Sequence, residues 1–126
     1  MGRILLIGFA GLVGTLSRYF LASLIGRRFG ESFPIGTIII NVIGCFLAGF
    51  LFYSLQERSL VSETVRLAIM VGLLGGFTTF SAFGLQTFTL FRDGETLLAL
   101  MNLIVSNLVG LLFVWVGFLL ARVLAS

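Results

Sequence analysis

Residues 74–84 read Leu-Gly-Gly-Phe-Thr-Thr-Phe-Ser-Ala-Phe-Gly: three glycines, three hydroxyl residues and three phenylalanines in the middle of an apolar run. Glycine, serine and threonine weaken an α-helix, so the reading of this stretch depends on the solvent around it. Of 126 residues, 59% are hydrophobic and 10% are charged, with a mean hydropathy of +1.18, well beyond the roughly half-apolar composition of a soluble domain. The chain reads as an all-α integral membrane protein, and the stretch falls near the middle of a span.

Cutting the chain at its charges leaves four apolar segments, 4–26, 35–55, 67–91 and 96–121, within a single four-helix transmembrane domain over 1–126. Each is long enough to cross a hydrocarbon core of ~30 Å as a helix at ~1.5 Å per residue. The connections carry the one proline, Pro34, and all five acidic residues, Glu31, Glu57, Glu63, Asp93 and Glu95. The first segment is too long for a secretory signal and has no small-x-small site after its apolar run, so it reads as a span. The chain has no histidine and no acidic side chain inside a segment, which argues against an enzyme with a buried general acid or a carboxylate metal site. Cys45, the lone cysteine, reads as a small packing residue. The net charge of +3 comes from eight arginines scattered between hydrophobic segments. They read as flanking charges rather than a nucleic-acid surface.

Four spans put both termini on one face. With them go Arg3, Arg58, Arg66 and Arg122; opposite lie Arg27, Arg28 and Arg92. Four against three is almost no bias under the positive-inside rule. Either another feature fixes one orientation, or the chain inserts both ways and two copies pair antiparallel.

Small or polar residues recur at helical spacing in three segments: Gly8, Gly11, Thr15, Arg18 and Ala22; Thr37, Asn41, Gly44 and Ala48; Asn102, Ser106, Gly110 and Gly117. Such stripes let helix backbones approach closely in lipid. Arg18 is the one charge well inside a segment, at a cost of about 2.5–3.5 kcal/mol on insertion scales. It either snorkels to the interface or marks an anion pathway. Asn41 is either a helix-to-helix hydrogen bond or part of a site. Because arginine does not titrate near neutral pH, a passive pore fits better than a proton-coupled pump.

In the opening stretch, Gly75 and Gly76 with Thr78, Thr79 and Ser81 would permit an unwound turn near the midplane, within which Phe77 also falls. Exposed carbonyls there can hold a hard cation, and the following half-helix favours an anion. Phe80 and Phe83, three apart, share a face, and phenyl edges are partly positive. A kinked packing helix would read the same way.

Three motifs taken together, GGFTTFSAF at 75–83, FPIGTIIINVIG at 33–44 and GLVGTLSR at 11–18, at this chain length, resemble the CrcB/Fluc family of fluoride channels. The resemblance covers the whole chain. It implies an antiparallel dual-topology homodimer in the plasma membrane of a bacterium or other microbe, passively exporting fluoride through two pathways. It further implies a structural sodium ion at the dimer interface, held by the backbone carbonyls of Gly75 and Thr78. Phe80, Phe83, Asn41 and Ser81 would line the fluoride path, with Arg18 and Thr37 at the vestibule. The chain departs from the common pattern at Ala82, Gly84 and Gln86, which leaves the polar track after the phenylalanines thinner and uncharged. The rival reading is a small dual-topology proton-coupled multidrug-type exporter; an accessory membrane subunit without transport is a third.

If the arginine balance sets topology, C-terminal reporter fusions will label both faces of the membrane. Adding two lysines to the connection between Gln56 and Arg66 will then drive every copy one way and abolish transport. Full transport from a population with one orientation would contradict this.

Overall fold

The computed structural model describes residues 1–126 and is helical almost throughout. Its elements are α1 (Gly2–Phe29), α2 (Ile35–Leu51), α3 (Glu63–Leu67), α4 (Leu74–Phe77), α5 (Phe80–Arg92) and α6 (Thr96–Ala125). Two π-helical stretches join them: Phe52–Glu57 continues α2, and Ala68–Leu73 links α3 to α4. Four runs are long and apolar enough to cross a membrane: Gly2–Phe29, Ile35–Glu57, Glu63–Arg92 and Thr96–Ala125, of 28, 23, 30 and 30 residues. At ~1.5 Å per residue they measure about 35–45 Å.

These runs outreach the segments cut at the charges. Arg27 and Arg28 lie in the last turn of α1, and Arg122 in the last turn of α6. Glu57 ends a π-helical turn and Glu63 begins α3, so neither is in a connection. The reason is that a helix need not end where the hydrocarbon does. Its terminal turns reach water, where charges are solvated, and arginine near a C-terminus complements the helix dipole.

Local chemistry sets the ends. Gly30 (φ 79°) closes α1, its N–H donating to Gly26 O at 2.9 Å. Gly94 (φ 80°) turns the chain between α5 and α6, and both positions lie in the left-handed region that glycine enters without a Cβ penalty. Ser62 Oγ accepts from Val65 N at the start of α3, and Thr79 Oγ1 from Ala82 N at the start of α5. Each satisfies a helix N–H that has no intrahelical partner.

The helices meet through glycines. A Cβ on Gly14 would strike Leu73 O, and one on Gly76 would lie 2.5 Å from Gly11 O, so α1 runs against the chain from Ala68 to Phe77 almost backbone to backbone. On the other side of the molecule, a Cβ on Gly49 would strike Val114 O and one on Gly117 would strike Phe46 O. That seam joins α2 to α6. Gly44 of α2 faces Thr78, whose Cγ2 occupies the place of the missing Cβ. The stripe read on α6 is buried at Asn102, Gly110 and Gly117. The stripe read on α1 needs correction at one end: Gly11 meets Gly72, but Gly8 has nothing within 4 Å, and Gly14, outside the stripe, is buried. Equal spacing on one helix does not show which stripe the neighbour covers.

Only 16 of 126 residues are buried, while Phe9, Phe20, Leu108, Leu111 and Trp115 are each about two-thirds exposed. An apolar exterior of this extent belongs in lipid or against another subunit.

Overpacking a tight helix contact costs about 1–3 kcal/mol. Gly14→Ala, Gly49→Ala and Gly117→Ala will therefore each lower the unfolding midpoint in a detergent titration, and Gly8→Ala will leave it level or raise it.

Candidate functional site

Helical geometry stops at Phe77 and resumes at Phe80. Thr78 (φ −90°, ψ 157°) and Thr79 (φ −149°, ψ 124°) are extended between α4 and α5. Gly75 and Gly76 are helical residues of α4, not an unwound turn, and Phe77 is its last residue. The glycines serve packing instead: Gly76 lets α1 approach. A Cβ on Gly75 would find nothing within 4 Å.

Of the two extended residues, Thr78 keeps its N–H in the helical ladder, while Thr79 loses both helical partners and a side chain replaces them. Thr78 N and Oγ1 both donate to Leu74 O, at 2.9 and 3.0 Å. Thr79 N donates to Asn41 Oδ1 at 3.0 Å, and Asn41 Nδ2 donates to Thr79 O at 3.0 Å. Arg18 Nε donates to Gly76 O at 3.2 Å. Gly75 O and Thr78 O accept no hydrogen bond from this chain.

Around this stretch lies a cleft of about 420 Å³ walled by α2, α4, α5 and α6. Asn41, Gly75, Thr78, Phe80 and Phe83, all singled out from the sequence, line it together. Phe80 and Phe83 have ring centroids 5.6 Å apart, planes inclined at 52°. Phe83 is 8% exposed and Phe80 81% exposed: one ring is fixed by its own chain, the other is not. Ser81 is exposed outside the cleft wall, its Oγ 3.5 Å from Thr79 Oγ1. Thr37 stands one turn before Asn41 on α2, partly exposed and also outside the wall. Arg18 reaches the stretch from α1 through Gly76 and is not part of that wall either.

The cleft includes groups that sequence reasoning did not assign to a site: Thr79, Cys45, Ser106 and Asn107. Asn107 is exposed on an apolar helix, its Nδ2 donating to Leu103 O at 2.7 Å. An amide on the outer face of a span was the available signal. A second polar chain ties α5 to α6. Asn102 is 1% exposed and donates to Thr87 Oγ1 at 2.8 Å; Thr87 Oγ1 donates to Phe83 O at 2.8 Å; Ser106 Oγ donates to Asn102 Oδ1 at 3.2 Å. This chain anchors the helical turn that carries Phe83.

No histidine, carboxylate or other charged side chain lines the cleft. It offers free main-chain oxygens, amide donors and phenyl rings beside an interrupted helix, which is the equipment of an ion site.

Over 124 residues the chain is 42% identical to the fluoride-specific ion channel FluC of Geobacter sp. (strain M21), covering 98% of this chain and 100% of that one. It is 44% identical over 120 residues to the protein of that name from Solibacter usitatus (strain Ellin6076), covering 95% and 98%. With the one from Aquifex aeolicus (strain VF5) it shares 36% over 122 residues, covering 97% and 98%. Residues 5–118 match the family described as CrcB-like protein, Camphor Resistance (CrcB). The chain belongs to the CrcB-like family.

Proposed function

We propose that this chain is the subunit of a passive fluoride-selective channel. The observation that carries the reading is its likeness, along essentially the whole chain, to proteins named fluoride-specific ion channels. In this reading two copies pair antiparallel, with two fluoride pathways lined by both. The assembly sits in the inner membrane of a bacterium or other microbe and lets fluoride leave the cytoplasm.

Several features support the paired state. Phe80 (81% exposed), Ser81, Gly75 and Asn107 lie on the outside of one chain, where lipid would leave polar groups unsatisfied. A second copy over this face would cover them.

Fluoride is small and strongly hydrated, so its path must replace water with donors. Asn41 has two Nδ2 hydrogens; one goes to Thr79 O and the other is free for the ion. The edges of Phe80 and Phe83 carry partial positive charge without a full charge that would trap an anion. Ser81 continues the path beyond the rings, and Arg18 with Thr37 attracts the anion at the vestibule. Ala82, Gly84 and Gln86 leave that path uncharged beyond Ser81.

A sodium ion between the subunits fits the donor set. Gly75 O and Thr78 O are main-chain oxygens with no hydrogen bond from their own chain, and such oxygens suit a hard cation. Bound there, sodium would neutralise carbonyl dipoles at the centre of the assembly. The extended pair at Thr78–Thr79 then serves as the midplane break on which both ion sites depend.

The test is fluoride release from proteoliposomes followed with a fluoride electrode. Rapid release that needs no proton gradient is expected; release that requires one would favour the exporter, and none would overturn the reading. Phe80→Leu and Phe83→Leu will each lower flux by about three- to tenfold, the scale of one lost aromatic interaction, with the dimer intact on a sizing column. Phe77→Leu, at the end of α4, will cost much less.

Gly75→Val separates partner from chain. Position 75 is open within one chain, so the variant will insert and fold but lose dimer or flux; Thr78→Ser, which keeps carbonyl and hydroxyl, will be mild. Equal tolerance of both would count against a carbonyl site between subunits.

A further inference from the structure

A helix that stops leaves its last four carbonyls without their N–H partners. In α4 the ladder ends with Thr78 N on Leu74 O, and the four carbonyls beyond it, those of Gly75, Gly76, Phe77 and Thr78, are treated unequally. Leu74 O accepts twice from Thr78. Gly76 O accepts from Arg18 Nε of α1 at 3.2 Å. Gly75 O accepts nothing, because the N–H four residues on, that of Thr79, goes instead to Asn41 Oδ1 of α2. Asn41 also donates to Thr79 O, so one side chain takes both main-chain groups of Thr79.

We infer that Arg18 and Asn41 are positioning residues, a two-point clamp from two different helices that holds the interrupted backbone open and so keeps Gly75 O free of donors. The purpose assigned to the clamp rests on the cation reading above; its geometry does not. Chemistry suits each member to its place. The end of α4 is the negative end of a helix, and a guanidinium on Gly76 O complements it, offsetting part of the cost of a charge inside a span. Asparagine carries a donor and an acceptor at one reach, which the two groups of an extended residue require. Without Asn41, Thr79 N–H would be free to fold back on Gly75 O, continuing the helix and removing the carbonyl from use. An arginine serving only to draw anions to a vestibule would need its charge but not this bond.

The test compares the parent channel with Arg18→Met, Arg18→Lys and Asn41→Ala, each purified as a dimer and reconstituted in lipid. One readout is solid-state NMR of the Gly76 carbonyl carbon and the Thr79 amide. The other is the sodium concentration that gives half-maximal fluoride flux, which a loss of pore lining alone would not move. Arg18→Met should shift the Gly76 carbonyl upfield and raise the sodium requirement about tenfold, as for one hydrogen bond to a charged group. Arg18→Lys, with charge and donor kept, should return both readouts most of the way. Asn41→Ala should shift the Thr79 amide and raise the sodium requirement too. If Arg18→Met does not assemble, Arg18→Gln, a neutral donor on a shorter arm, takes the same measurements. Unmoved Gly76 and Thr79 resonances would overturn the clamp, as would moved resonances with an unchanged sodium requirement in a sodium-dependent parent. A parent indifferent to sodium would sink the cation reading instead, and the resonances alone would then decide the clamp.

Discussion

In hydrocarbon a main-chain N–H or C=O without a partner costs several kcal/mol, and water is not there to supply one. The pair Thr78–Thr79 sets this constraint at its sharpest: Thr78 N still reaches Leu74 O, but neither main-chain group of Thr79 has a helical partner. The rest of the molecule is arranged around meeting it. Asn41 must stand on the face of α2 that meets the extended pair, and Arg18 on the face of α1 that meets the end of α4. Each of those helices must also lie within one side-chain length of the stretch.

Glycine contacts supply that nearness. In lipid there is no hydrophobic force to draw helices together, so closeness comes from dispersion between surfaces that fit. Gly14, Gly72 and Gly76 set α1 against the middle of the third membrane-length run, and Gly49 and Gly117 fix α2 against α6. The buried chain from Asn102 through Thr87 to Phe83 O then joins α6 to α5. Both halves of the interrupted run are thus tied to a partner helix before any second subunit is considered.

The four membrane-length helices were legible in the sequence because hydropathy over some twenty residues outweighs any local preference. Their ends were not, since charges at Arg27, Arg28 and Arg122 are compatible with a helix continuing into water. The opening stretch contains the place where the backbone departs from a helix, but the reading spread it from Gly75 to Ser81, and only Thr78 and Thr79 leave the helix. Glycine is the residue that permits distortion, yet Gly75 and Gly76 are helical, and the residues that leave the helix are threonines whose hydroxyls bond back to the chain. Asn41 stood out from its apolar neighbours, but nothing in sequence spacing shows that an amide 38 residues away grips Thr79 from both sides. Gly8 failed for a different reason: pattern identifies a face, and only packing identifies what covers it.

The methyl of Thr78 fills the space that a side chain at position 44 would need, while its Cβ lies 3.6 Å from that point, an ordinary contact. The two positions are therefore not free to change in either order. A chain that first trades Thr78 for serine sheds the methyl, keeps the hydroxyl that caps Leu74 O, and opens room for alanine at 44. A chain that changes Gly44 first meets an obstruction at the one point where the backbone is already without its helix. Drift between these two residues has a direction, and an evolutionary history written at position 44 begins at position 78.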